Sequence, residues 1–196
     1  PQLLKDNRMP SGYFVDDNAI KNELNNLLNT HFPGKTLVES VSNDQVFFNT
    51  TLFSSDTRTS GIDYMIATEL IVNYLQAKDG VAQVFSKNTI KLGDYAEAGI
   101  KGAIIRGYNF KRSGDVTFVL EPGWISSDKK YGTTHGSPYS YDTHVPVLFF
   151  GKGIRHGSSA QYHPIVDIAP TVSVLLSIKF PSACAGQPIL EIVGGK

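Results

Sequence analysis

Two histidines and an aspartate crowd one short stretch, Gly132-Thr-Thr-His135-Gly-Ser-Pro-Tyr-Ser-Tyr-Asp142-Thr-His144-Val-Pro146. A neutral imidazole is the commonest metal ligand among side chains. The flanking Thr134 and Gly136 leave backbone that an ion can approach closely. The alternative for His135 is a surface or hydrogen-bonded loop histidine, and spacing alone leaves both open. His144, at the entry to the apolar run Val145–Phe150, fits a supporting or structural role. Asp142 has the spacing to orient His135 or His144 by accepting a ring N–H. Polar loops at the end of a rigid strand are where α/β proteins place their chemistry.

The other titratable clusters are weaker. His156 and His163 fall in or just after a Gly/Ser-rich loop and read as exposed structural residues. Successive spacings of 9, 12 and 7 residues between His135, His144, His156 and His163 match no compact zinc motif. Arg106, Lys111 and Arg112 could hold phosphate by charge-assisted hydrogen bonds, or form a solvated loop. No phosphate-cradling glycine loop, nucleophile elbow or paired-cysteine motif is present. Cys184 is the only cysteine, so an internal disulfide and a thiolate zinc site are excluded. It reads as a small buried residue or as half of a disulfide to another segment.

The elements that must position the loop follow from periodicity. Asp16 or Asp17 can cap a helix over 18–31, with Ile20, Leu24, Leu27 and Leu28 on one face. His31 closes it before Pro33-Gly34. Strands over 36–41 and 45–49 form a hairpin through Ser42-Asn43-Asp44. Ser60 to Asp63 reads as a capping box for a helix over 61–77, followed by a strand over 81–85. A helix over 100–108, a strand over 116–121 and a strand over 145–150 complete the sheet. Asp167 can cap a last helix over 168–177, packed down by Leu175, Leu176 and Ile178. The alternation predicts a layered α/β/α domain with a mixed parallel sheet and an antiparallel hairpin at one edge.

The chain has 196 residues, with 18 Lys and Arg against 18 Asp and Glu, 41% apolar and 18% charged. A net charge of zero gives no bulk attraction to nucleic acid or anionic membrane. No apolar run reaches the roughly 18 residues needed to span a bilayer. The chain starts at Pro1, and nothing before residue 132 resembles a complete active site, which predicts a piece of an enzyme.

The strings T-H-G-S-P-Y-x-Y-D-T-H-V-P, L-F-F-G, V-D-I-A-P-T-V-S-V-L-L-S-I and F-P-S-A-C-A-G-Q-P resemble the C-terminal part of the alkaline phosphatase superfamily. The resemblance is to bacterial zinc-dependent, phosphate-irrepressible alkaline phosphatases, relatives of nucleotide pyrophosphatases/phosphodiesterases. It is strong over 95–192 and looser over 36–85. It implies an inserted, cap-like α/β segment over 1–94 and part of the catalytic domain over 95–196. It also implies two zinc ions, a Thr or Ser nucleophile forming a phospho-enzyme, and His135 as the last zinc ligand in chain order.

The family's nucleophile, its Asp-rich ligand segments and its phosphate-holding Lys and Arg have no counterpart here. The resemblance therefore implies a chain inert by itself that acts with an N-terminal remainder on phosphate monoesters. Export to the periplasm or medium is implied in the same way. The alternatives are a phosphodiesterase or nucleotide pyrophosphatase of the superfamily, or a non-catalytic binding module that keeps the fold.

Overall fold

A computed structural model describes residues 1–53, 62–127 and 133–193. They form two compact units, Pro1–His144 and Val145–Lys196, each described on its own.

In the larger unit a short helix α1 (Gln2–Asp6) comes first, and Asp16 then starts α2 (Asp17–Asn29), its carboxylate accepting the amides of Asn18 and Ala19 at 2.9 Å. The helix buries Ile20, Leu24 and Leu28, the face set by the periodicity. Strands β2 (Val38–Ser42) and β3 (Gln45–Phe48) then pair antiparallel. Asn43 and Asp44 join them with φ of 50° and 57°, the mirror-image turn that matches strand twist.

Helix α3 (Tyr64–Gln76) is capped by Asp63, whose carboxylate accepts the amides of Met65 and Ile66. Ser60 and Gly61 of the expected capping box lie outside the described residues. After α3 come β4 (Val81–Ser86), α4 (Lys87–Lys91), α5 (Gly99–Gly107) and β5 (Val116–Leu120). The four strands form one antiparallel sheet in the order β2-β3-β5-β4.

Alternation along β5 produces the layers. Val116, Phe118 and Leu120 join Leu24, Leu28, Ile71 and Leu75 of α2 and α3 in one core. Val119 points the other way, into a smaller core with Phe85, Ile90, Ile105 and Tyr108. Helices thus flank the sheet on both faces. The expected mixed sheet takes a different form: parallel pairing occurs in a separate two-stranded sheet, β1 (Gly12–Phe14) with β6 (Trp124–Ser126).

Trp124 lies across two glycines, and a Cβ at Gly12 or Gly80 would collide with its ring. Gly80 also sits at φ 87°, where L side chains are strained. Gly80→Ala should therefore cost about 2 kcal/mol or more, read as a lower midpoint of chemical unfolding.

In the smaller unit, the expected strand over 145–150 has no strand conformation, and no ladder partner for it occurs among the described residues. A short 3-10 turn, Ile165–Asp167, leads into α7 (Ile168–Leu175). The expected packing of α7 is corrected. Pro170, Thr171 and Ser173 are buried, Leu175 is half-buried, and Leu176 and Ile178 are exposed. Asp167 does not cap the helix with its side chain; its carboxylate accepts the Gln187 amide at 2.8 Å instead. Thr171 donates to the Asp167 carbonyl at 2.6 Å and accepts the Ile189 amide at 2.9 Å. Polar bonds, more than apolar packing, hold this unit together.

Candidate functional site

The loop from Thr133 to His144 is built around Asp142, in the one-turn helix α6 (Ser140–Thr143). Its carboxylate accepts the Ser137 amide at 2.7 Å. That bond, with a smaller contribution from the nearby His135, holds its carboxyl below the usual carboxylate range. Asp142 therefore braces the loop backbone and makes no hydrogen bond to the ring of His135 or His144 among the described residues. Sequence spacing had suggested the rings as its partners. The Ser137 amide is a backbone group, and no residue type or spacing marks it in the sequence.

Tyr139 ties the loop to the sheet, its hydroxyl donating to the Leu120 carbonyl at 2.9 Å. Tyr141 stacks on Tyr139 with centroids 5.8 Å apart, and its oxygen accepts the Gly123 amide at 3.2 Å. The loop thus stands over the C-terminal end of β5. Gly136, at φ 111°, lets the chain turn directly after His135.

His135 is exposed on the wall of an open cleft of about 900 Å³ in the larger unit. Asp16, Asp17 and Asp44, from the start of α2 and the hairpin turn, also line the cleft. Among the described residues no three His, Cys, Asp or Glu gather as a metal-binding group. His135 can offer a ring nitrogen to an ion, and the described residues do not complete a coordination sphere around one.

Burial pushes Asp44 up to about 6, with the Asp17 charge adding to it. A carboxyl raised above its unfolded value binds its proton more tightly in the native state. Stability is then highest below the unfolded value and falls as pH rises through about 6. Asp44→Asn should raise the melting temperature at pH 7 and flatten its fall between about pH 4 and 6. Equal profiles for the two proteins would remove Asp44 from that role.

The remaining sequence candidates sit elsewhere. Arg106 donates to the carbonyls of Tyr95 at 3.0 Å and Glu97 at 2.8 Å, so it fastens the approach to α5. Lys111 and Arg112 are exposed. His31, His144 and His156 are exposed, and the His31 Nδ1 lies 2.8 Å from the Thr30 hydroxyl. His163 is half-buried rather than exposed, with Asp167 at 3.6 Å and Glu191 at 3.4 Å. Cys184 is half-buried, 3.9 Å from the Gly186 carbonyl.

The crystal structure of alkaline phosphatase PafA matches this backbone with a TM-score of 0.85 at 35% identity, over 98% of this chain and 35% of that one. In sequence, the chain is 37% identical over 192 residues to alkaline phosphatase PafA of Elizabethkingia meningoseptica, covering 98% of this chain and 34% of the relative. This chain belongs to the alkaline phosphatase superfamily. It is also 38% identical over 194 residues to a Myroides odoratus protein named calcium-transporting ATPase, again 98% of this chain and 34% of that protein. No family model matches.

The chain thus spans about a third of the length of the curated relatives it matches. The part of the superfamily fold that it carries comprises the antiparallel four-stranded sheet, the parallel pair and their flanking helices. Among the described residues no helix is long and apolar enough to cross a membrane.

Proposed function

We propose that this chain is part of an exported two-zinc phosphate monoester hydrolase, to which it contributes His135 as one zinc ligand. The nucleophile and the other ligands lie on polypeptide outside these 196 residues, so the chain alone does not turn over substrate. The observation that carries this reading is an exposed imidazole on a cleft wall, in a loop braced from behind by Asp142. The similarity to alkaline phosphatases over nearly the whole chain supports it.

The donor set fits one corner of a shared metal site. An exposed histidine is a good zinc donor, and a shared site needs only one ligand from this loop. Zinc, when bound, lowers the pKa of a nucleophile and stabilises the leaving oxygen of the ester. The residues of this chain place the ligand. Asp142 holds the Ser137 amide, and Tyr139 anchors the loop on the Leu120 carbonyl. Gly136 supplies the turn after His135, which is exposed.

The test replaces the matched third of PafA with residues 1–196 and compares a chromogenic phosphate monoester with a diester. Monoester turnover above diester turnover is expected, with none from residues 1–196 by themselves. Dominant diester turnover would move the assignment to a phosphodiesterase. Substantial activity of the isolated chain would contradict the shared site.

A further inference from the structure

In the smaller unit one histidine ring stands between two carboxylates. The His163 Nδ1 lies 3.6 Å from the carboxylate of Asp167, which closes the turn Ile165–Asp167. Its Nε2 lies 3.4 Å from the carboxylate of Glu191, in the one-turn helix α8 (Leu190–Val193). Among the described residues no other charged group comes within ion-pair distance of the ring. Two elements more than 20 residues apart in sequence thus meet at one imidazole.

Each carboxylate is tied to a further segment. Asp167 is buried and accepts the Gln187 amide at 2.8 Å. Glu191 is exposed and accepts the Ser159 hydroxyl at 3.3 Å. Its own amide, and after that His163, hold the Glu191 carboxyl below the usual carboxylate range. Glu191 is therefore ionised throughout the range in which an imidazole changes charge.

A neutral imidazole has one N–H, so it can donate to only one of these carboxylates while a lone pair faces the other. That mismatch is sheltered from water here, because Nε2 is buried and has no hydrogen-bond partner among the described residues. An imidazolium donates from both nitrogens, and bonds from a cation to a carboxylate are roughly twice as strong as neutral ones.

We propose that His163 is a pH-gated clasp, whose protonation fastens α8 to the turn Ile165–Asp167 and whose deprotonation releases α8. The helix is the side that gives. It is one turn long, and none of its side chains is buried. Its Ile192 and Val193 amides both donate to the Ile189 carbonyl, at 3.1 and 3.2 Å. A single turn is not stable by itself, so its order depends on the groups beside it. The clasp holds while the ring is charged, and it is lost as pH rises through about 5 to 8. This inference is independent of the zinc role of His135.

Hydrogen exchange of residues 1–196 tests it, with each rate expressed as a protection factor so that the intrinsic effect of pH cancels. The Ile192 and Val193 amides should be about tenfold better protected near pH 5 than near pH 8. His163→Gln, which keeps a donor but cannot titrate in this range, should abolish the difference. Glu191→Gln, which removes the exposed anion, should abolish it as well. His156→Gln, at an exposed histidine of the same unit, should leave it intact.

Equal protection of the wild type at the two pH values would overturn the clasp. So would a difference that survives either clasp substitution, or one that His156→Gln removes. Should His163→Gln fail to fold, Glu191→Gln decides alone.

Discussion

Asp115→Ala should destabilise the larger unit by about 3–5 kcal/mol, enough to unfold many domains of this size. Asp115 is buried where β5 begins, and its carboxylate serves three elements at once. One oxygen accepts the Phe48 amide of β3 at 3.0 Å, and the other accepts the Tyr64 hydroxyl of α3 at 2.9 Å. Lys87 of α4 approaches to 3.7 Å. Alanine would strand a buried amide and a part-buried hydroxyl at about 1–3 kcal/mol each, and leave a void between helix and sheet.

Tyr64 reports the same contact, since burial and the Asp115 charge push its hydroxyl well above the ordinary tyrosine range. Tyr64→Phe removes one donor and should cost about 1 kcal/mol. Lys87→Met should cost less, because that ammonium is a third exposed and long-ranged. Urea unfolding of the three variants checks the ranking. Equal small losses would mean that the carboxylate is dispensable.

His135→Ala should lower phosphate monoester turnover of the PafA chimera by about 100-fold or more. Loss of a partner that merely orients a metal ligand already costs about 10–100-fold, and removing the ligand should cost at least as much. Folding should be untouched, because the ring is exposed and the loop is held by Asp142 and Tyr139. His144→Ala is the control at an exposed histidine of the same loop, and it should retain most activity. If both substitutions were harmless, the loop would be structural only.

Local signals in the sequence translated well into local structure. Asp16 caps α2, Asn43-Asp44 makes the hairpin turn, and Ile20, Leu24 and Leu28 face the core, because capping, turns and helix faces depend on neighbouring residues. The errors lie where partners are distant or outside the chain. The run over 145–150 has a strand's composition, but a strand needs a ladder, and none is offered to it among the described residues. Leu176 and Ile178 face outward because no apolar surface of the smaller unit meets them.

Asp115 was invisible for the opposite reason. Its partners Phe48 and Tyr64 are 67 and 51 residues away in sequence, and no spacing rule connects them. At the candidate loop the motif singles out His135, which the fold leaves exposed on a cleft wall, and only the folded loop shows that Asp142 works on the Ser137 amide.

The most direct measurement is the zinc content of the purified PafA chimera carrying residues 1–196, wild type against His135→Ala, after equilibration at limiting free zinc. A ligand supplied by this chain predicts that the variant holds less zinc than the wild type while both give the same unfolding midpoint in chelator. Identical zinc content and affinity in the two proteins would contradict the central claim that His135 binds the metal.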